Sequence, residues 1–236
     1  MTALRSRLVP GETIARHIHD EAYAAVVLDG GYEEAGERGR WRVRAGDVLL
    51  HGRFSGHWNR RPGKALVLNL PLCGHLAADL AGPAMARARD PDLLARLAER
   101  DPLEAAAALL EGLTQGGPAL SDPSDRLAQA LSGDDAPSVE AWARDQGVAR
   151  ETAFRWFRDA YGVGPARFRV EARARRAWRL IVEDEAPLAD IAAEAGFADQ
   201  AHMSRDVKAL TGRSPGAWRT PALQGTLQHR FKTRAA

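Results

Sequence analysis

Leu188 to Arg219, LADIAAEAGFADQAHMSRDVKALTGRSPGAWR, writes a helix, a tight turn, a second helix and a stop without interruption. Leu188, Ile191, Ala192 and Ala195 recur at the spacing of one apolar helical face, and Gly196 ends the run. Asp199 is placed to cap the next helix, in which Met203, Val207 and Leu210 turn inward before Gly212 and Pro215 close it. Gln200, Ala201, His202, Arg205 and Lys208 remain outside. Donors interrupted by one small side chain are what a helix entering a DNA major groove presents.

The same pattern stands earlier, at Val139–Tyr161. There Val139, Trp142 and Ala143 form the inner stripe of a first helix, Gly147 makes the turn, and Ala153, Trp156 and Phe157 are expected to bury the second. Its outer face would be Arg150, Glu151, Thr152, Phe154, Arg155 and Arg158. Similar closures follow, Gly162-Val163-Gly164-Pro165 in one unit and Gly212-Arg213-Ser214-Pro215 in the other. Between the units, Ala166–Val182 reads as one helix on the stripe Ala174, Ala177, Trp178 and Ile181. At ~1.5 Å per residue it spans roughly 25 Å, which with the width of the flanking units approaches the ~34 Å of one DNA turn. Two outer helices could then enter successive major grooves on one side of a duplex.

Charge is distributed unevenly. The 236-residue chain carries a formal +2, yet residues 137–236 hold 17 Lys and Arg against 12 Asp and Glu, a net of +5. The remainder is net negative, which suits a carboxy-terminal half that meets phosphate. Thirty of the 33 basic residues are arginine, a choice that favours bidentate contacts and that GC-rich coding would equally produce. One cysteine, Cys73, cannot make an internal disulfide and reads as a small apolar residue. The first residues lack the apolar run of a signal peptide, and no stretch reaches the ~18 apolar residues of a membrane span. A cytoplasmic protein with no membrane partner is expected.

The carboxy-terminal hundred residues resemble the DNA-binding domain of the AraC/XylS family of bacterial transcription regulators. Residues 191–219, IAAEAGFADQAHMSRDVKALTGRSPGAWR, follow the family pattern A-x-x-x-G-F-x-x-Q-x-x-x-S-R-x-F-K-x-x-x-G-x-[ST]-P-x-x-[YW]-R almost position by position. The departure is Val207, apolar where an aromatic is usual. The resemblance implies base-reading roles for Gln200, Ala201, His202 and Arg205, and for Glu151, Thr152, Phe154 and Arg155. Glu151 could accept from cytosine N4 and Phe154 could touch a thymine methyl, or both could simply pack or face solvent.

Residues 1–72 read as short strands, among them Ala24–Leu28, Trp41–Val43, Val48–Leu50 and Leu66–Leu70, suggesting a small barrel or sandwich. Residues 73–116 turn to Ala, Leu, Arg and Glu and read as helices, which either dimerise or pack on the barrel. Thr114–Asp125, TQGGPALSDPSD, reads as the linker to a DNA-binding domain over 117–220, and 221–236 as a basic flexible tail. His17-x-His19-x3-Tyr23, followed by Gly30, resembles the first motif of cupin barrels, with tyrosine where a metal-binding glutamate is usual. Ala45–Leu50, continued to His57, resembles the second. The resemblance implies an effector pocket around His17, His19, Tyr23, His51 and His57, with Arg53, Trp58 and Tyr32 at its mouth or in structural roles. His17, His19 and His57 could hold a divalent metal, with Tyr23 or Glu21 completing the shell, or could hydrogen-bond an organic effector.

The expectation is an α+β chain: an N-terminal cupin-like β-barrel with a helical extension, then an all-α domain of two helix-turn-helix units joined by a long helix. It would be a sequence-specific transcription regulator with no catalytic role, whose partners are double-stranded promoter DNA, a small-molecule or metal effector, a second copy of the chain and RNA polymerase. Two other readings stay open. The N-terminal half could serve dimerisation alone, or form a cupin metalloenzyme on His17, His19 and His57, which the missing motif glutamate disfavours.

Overall fold

The computed structural model describes residues 4–9, 11, 13–60, 63–72, 84–133 and 135–220. Cys73, the opening of the expected helical segment and the tail after 220 lie outside the described residues. The chain divides into two compact units, Met1–Asp125 and Arg126–Ala236.

The first unit is built on strands β1 (Arg5–Leu8), β2 (Ile14–Ile18), β3 (Tyr23–Gly36), β4 (Gly39–Arg44), β5 (Asp47–His51), β6 (Gly56–Arg60), β7 (Ala65–Pro71), β8 (Met85–Ala88) and β9 (Leu113–Gln115). The 14-residue β3 organises the sheet. Its first half pairs with β5 and β7, and its second half with β4 and β6. The register shift between Val27 and Asp29 lies just before this exchange of partners, where a bulge lets a strand bend. Alternation along β3 feeds two cores. Ala24 and Val26 meet Val48, Leu68 and Leu70 on one face, while Tyr23, Ala25 and Val27 meet Val43, Leu49 and Val67 on the other. Burial on both faces explains why the run reads as continuously apolar.

Two helices, α1 (Pro91–Ala98) and α2 (Pro102–Glu111), cover the first of these faces. Each begins with proline behind an aspartate cap: Asp90 accepts from the Leu93 N–H, and Asp101 from Leu103 and Glu104. Leu94, Ala98, Ala105, Ala106 and Leu109 join the sheet's apolar face, so the pair packs within its own chain. Leu93 and Leu103 stay exposed.

Three differences from the sequence reading are visible here. Among the described residues the pairings make an open sheet, ordered β1-β7-β3-β5-β8-β9 along its main path, rather than a closed barrel. The segment expected to be helical contains β8 and β9, because Met85–Arg87 completes the edge of β5 and Leu113–Gln115 completes β8, pairing that overrides local composition. The expected linker is not free either. The Leu120 N–H donates to the Arg40 carbonyl at 2.7 Å, and the buried Arg40 guanidinium bonds Asp122, Asp125 and Glu33.

Helix α3 (Pro123–Ser132) crosses from one unit into the other. The second unit continues with α4 (Val139–Asp145), α5 (Arg150–Tyr161), α6 (Pro165–Glu183), α7 (Leu188–Glu194), α8 (Gln200–Thr211) and α9 (Pro215–Trp218). Its core is aromatic. Phe157 stacks on Tyr161 at 4.7 Å with Phe168 edge-on to both, and Trp178 meets Trp218 edge-on at 5.8 Å. The inner stripe of α5 is Ala153, Phe157, Ala160 and Tyr161, whereas Trp156, expected to be buried, is 39% exposed. The i, i+4, i+7, i+8 spacing from Ala153 sets the inward face, and Trp156 falls just outside it. No described helix is long and apolar enough to cross a membrane.

Candidate functional site

The two helix-turn-helix units are copies of one local design. Helices α4 and α7 have seven residues each, and α5 and α8 have twelve each. Asp199 caps α8 by accepting from the His202 N–H at 2.6 Å, as its place before the apolar run suggested. The corresponding cap residue of α5, Ala149, makes no side-chain bond. Helix α6 spans 19 residues between the units and buries Ala174, Ala177, Trp178 and Ile181.

The outward residues of α5 are largely open. Arg150, Glu151, Arg155 and Arg158 are exposed and Thr152 is half-buried, with Glu151 3.9 Å from Arg150. Phe154 is 39% exposed, and its ring lies so close to Gly164 that a Cβ there would stand 3.2 Å from it. It therefore rests partly on the turn that follows its own helix. On α8, Gln200, Ala201, Arg205 and Lys208 are exposed. His202 is different. Its Nε2 stands 3.2 Å from the Arg173 guanidinium and 3.4 Å from Asp206, and its ring meets Phe197 edge-on.

Arg173 on α6 was not singled out in the sequence, where it stands within the run Arg173-Ala174-Arg175-Arg176. It donates to the Gly196 carbonyl at 3.3 Å and to Asp206 at 3.2 Å, and lies over the Phe197 ring at 4.1 Å. One side chain thus ties the turn and α8 to the connecting helix.

In the first unit, strand register gathers the histidines. His17 faces His57 across β2 and β6, and Tyr23 faces His51 across β3 and β5, while His19 follows β2 directly. Ring centroids lie 4.3 Å apart for His17 and His57, 4.7 Å for His17 and His19, and 4.4 Å for His51 and His57. Tyr23 stacks on His51 at 4.4 Å and its hydroxyl is 3.3 Å from His57 Nε2. All five residues of the expected pocket are therefore neighbours. Glu21 is exposed and belongs to neither metal-competent set, and Tyr32 is buried and bonded to Glu34.

Glu34 is the residue the sequence reading missed. Its carboxylate lies 3.4 Å from His51 Nε2, and it is buried with His51 and His57. Burial pushes the Glu34 carboxyl up to about 8, against the pull of its hydrogen bond with Tyr32. Burial holds His57 well below the usual imidazole range, reinforced by His51 and His17, and lowers His19 likewise. Two sets of side chains have donor atoms within 4.8 Å of one another: His17, His19 and His57, and Glu34, His51 and His57. Imidazole nitrogens with a carboxyl group that can lose its proton form a donor set for a divalent first-row metal.

Residues 142–221 match a family model described as a helix-turn-helix domain, and the match takes in both units. The chain is similar to the C-terminal domain of AraT, a response regulator from Geobacillus stearothermophilus, at 25% identity, covering 42% of this chain and 85% of that one with a TM-score of 0.39. It is also similar to the DNA-binding domain of the global transcriptional factor AdpA in complex with a target DNA, at 24% identity, 48% and 99% coverage and a TM-score of 0.40. ToxT from Vibrio cholerae, bound to an unsaturated fatty acid, aligns over 91% of this chain and 92% of its own at 11% identity and a TM-score of 0.39. No curated protein sequence is significantly similar to the chain.

Proposed function

We propose that this chain is a sequence-specific DNA-binding transcription regulator of the AraC/XylS type, in which α5 and α8 read successive major grooves. The observation that carries the reading is the paired design of the second unit: two twelve-residue helices that both end on a left-handed glycine and both expose basic side chains, Arg150, Arg155 and Arg158 on one and Arg205 and Lys208 on the other, joined by one long helix. At ~1.5 Å per residue the 19 residues of α6 span roughly 28 Å, to which the width of the flanking units adds. That separation suits two grooves one turn, ~34 Å, apart on the same side of a duplex.

Arg155 and Arg205 are the leading base contacts, since both are exposed on outward faces and arginine pairs bidentately with guanine. Arg150, Arg158 and Lys208 serve the phosphates. The N-terminal unit, cupin-like in its histidine motif, takes a small molecule or metal at the histidine cluster and shifts the population of DNA-competent states. Leu93 and Leu103, exposed on α1 and α2, are apolar residues available to pair two chains, and RNA polymerase is the further partner of such a regulator.

Selection of duplexes from a random library by the purified chain tests this directly. A recurrent motif with half-sites one turn apart is expected, with affinity falling steeply as salt rises. Enrichment of no motif would contradict the reading.

A further inference from the structure

The cavity beside the histidine cluster is lined by Glu34, Trp41, Leu49, His51, Gly56 and His57, and has a volume of about 30 Å³. That is room for an ion with a water molecule, whereas pockets for organic ligands run to about 300 Å³ and more. We propose that Glu34, His51 and His57 bind one divalent first-row transition-metal ion in this cavity. This proposal deepens the reading of the N-terminal unit as the sensing half and rests on it for its regulatory meaning.

Three observations support this set over the histidines alone. All three side chains line the cavity and come from adjoining strands, β3, β5 and β6. His57 Nδ1 is buried and has no hydrogen-bond partner, a donor atom left without an occupation in the protein itself. Glu34 brings the ligand that becomes anionic, its carboxyl giving up its proton to solvent as the ion enters: a divalent ion held in a buried site by imidazoles alone would keep its whole charge out of water, and a carboxylate offsets half of it. Donors within 4.8 Å of one another each need to move by at most about 0.8 Å to reach the spacing of roughly 3.3 Å that tetrahedral bonds of ~2.0–2.1 Å set. Tyr32, bonded to Glu34, orients the carboxyl group. Because His57 belongs to both candidate sets, the two sets compete for it, and one ion is expected to bind among the described residues.

The test is a titration of the full chain, freed of metal by chelation, with Co²⁺ followed by visible absorption, and with Zn²⁺ in competition. One equivalent saturates the wild type. Glu34→Gln and His51→Gln each weaken binding about 100-fold or more, and His19→Gln changes it less than about threefold. A wild type that takes up no ion, a Glu34→Gln chain that binds like wild type, or losses in His19→Gln as large as in Glu34→Gln would each overturn the proposal. If a substituted chain does not fold, X-ray absorption on the wild-type zinc adduct decides. Two imidazoles and a carboxylate support it, and imidazoles without a carboxylate overturn it. DNA binding by the same metal-free sample reports on the regulator reading separately, so either can fail alone.

Discussion

Gly162 and Gly212 hold the same place in the two helix-turn-helix units: each ends its twelve-residue helix in the left-handed conformation, at φ 67° and 74°. Each donates its N–H at 2.9 Å to the carbonyl four residues back, Arg158 or Lys208. Only glycine adopts that conformation without cost. Nothing lies within 4 Å of a Cβ placed on Gly212, so a side chain there meets strain but no clash. Gly212→Ala should therefore destabilise the second unit by ~1–2 kcal/mol, read from denaturant unfolding. An unchanged midpoint would mean that α8 ends differently.

If Arg205 reads a base edge as proposed, Arg205→Ala should cost ~1–3 kcal/mol of binding to the selected duplex and relax preference at one base pair. Lys208→Ala should weaken all sequences alike and flatten the salt dependence. Fluorescence anisotropy across a set of single-base variants separates the two behaviours. Equal effects of both substitutions on all sequences would demote Arg205 to a phosphate contact.

Arg173→Met should loosen α8 without removing a DNA contact, since it abolishes the bonds to Gly196, His202 and Asp206 together. The expected signature is faster amide exchange in α8 with a loss in affinity shared by cognate and non-cognate duplexes. His202→Ala, by the same reasoning, should matter less than Arg205→Ala. Should His202→Ala abolish specificity while Arg173→Met leaves it intact, His202 reads a base in its own right.

Arg40→Met should destabilise the first unit by about 3–5 kcal/mol, because it takes the guanidinium away from the buried Asp125 carboxylate. Asp122 adds a pH dependence. Burial opposes its charge, but Arg40 outweighs burial and holds its carboxyl below the usual value of 3.8. A lowered carboxyl contributes its full stability above the ordinary value and loses it as pH falls through the lowered one. The stability gap between wild type and Asp122→Asn should be constant at neutral pH and shrink below about pH 3.8. A gap that widens in acid would exclude this pairing.

The second unit was legible because helical signals there are local: the apolar spacing around Ile191 and Met203, the Asp199 cap and the glycine stops all act within a few residues. Trp156 shows the limit, since a residue one step from the inner stripe can fall on either side of the boundary. The first unit was legible only where strands are apolar. The second half of β3, Gly31-Tyr32-Glu33-Glu34, carries no apolar run to mark it as a strand, and its partners β4 and β6 are supplied from farther along the chain. Glu34 was missed for the same reason. An acidic residue in a strand normally faces water, and only the register can reveal that this one faces inward. His17 and His57 were recognisable by motif, but that they stand opposite each other follows from the β2–β6 pairing.

The most direct test of the account is a hydroxyl-radical footprint of the full chain on its selected duplex. The paired helices predict two protected patches about one helical turn apart on the same face, with Arg155→Ala weakening one and Arg205→Ala the other. Protection confined to one major groove would contradict it.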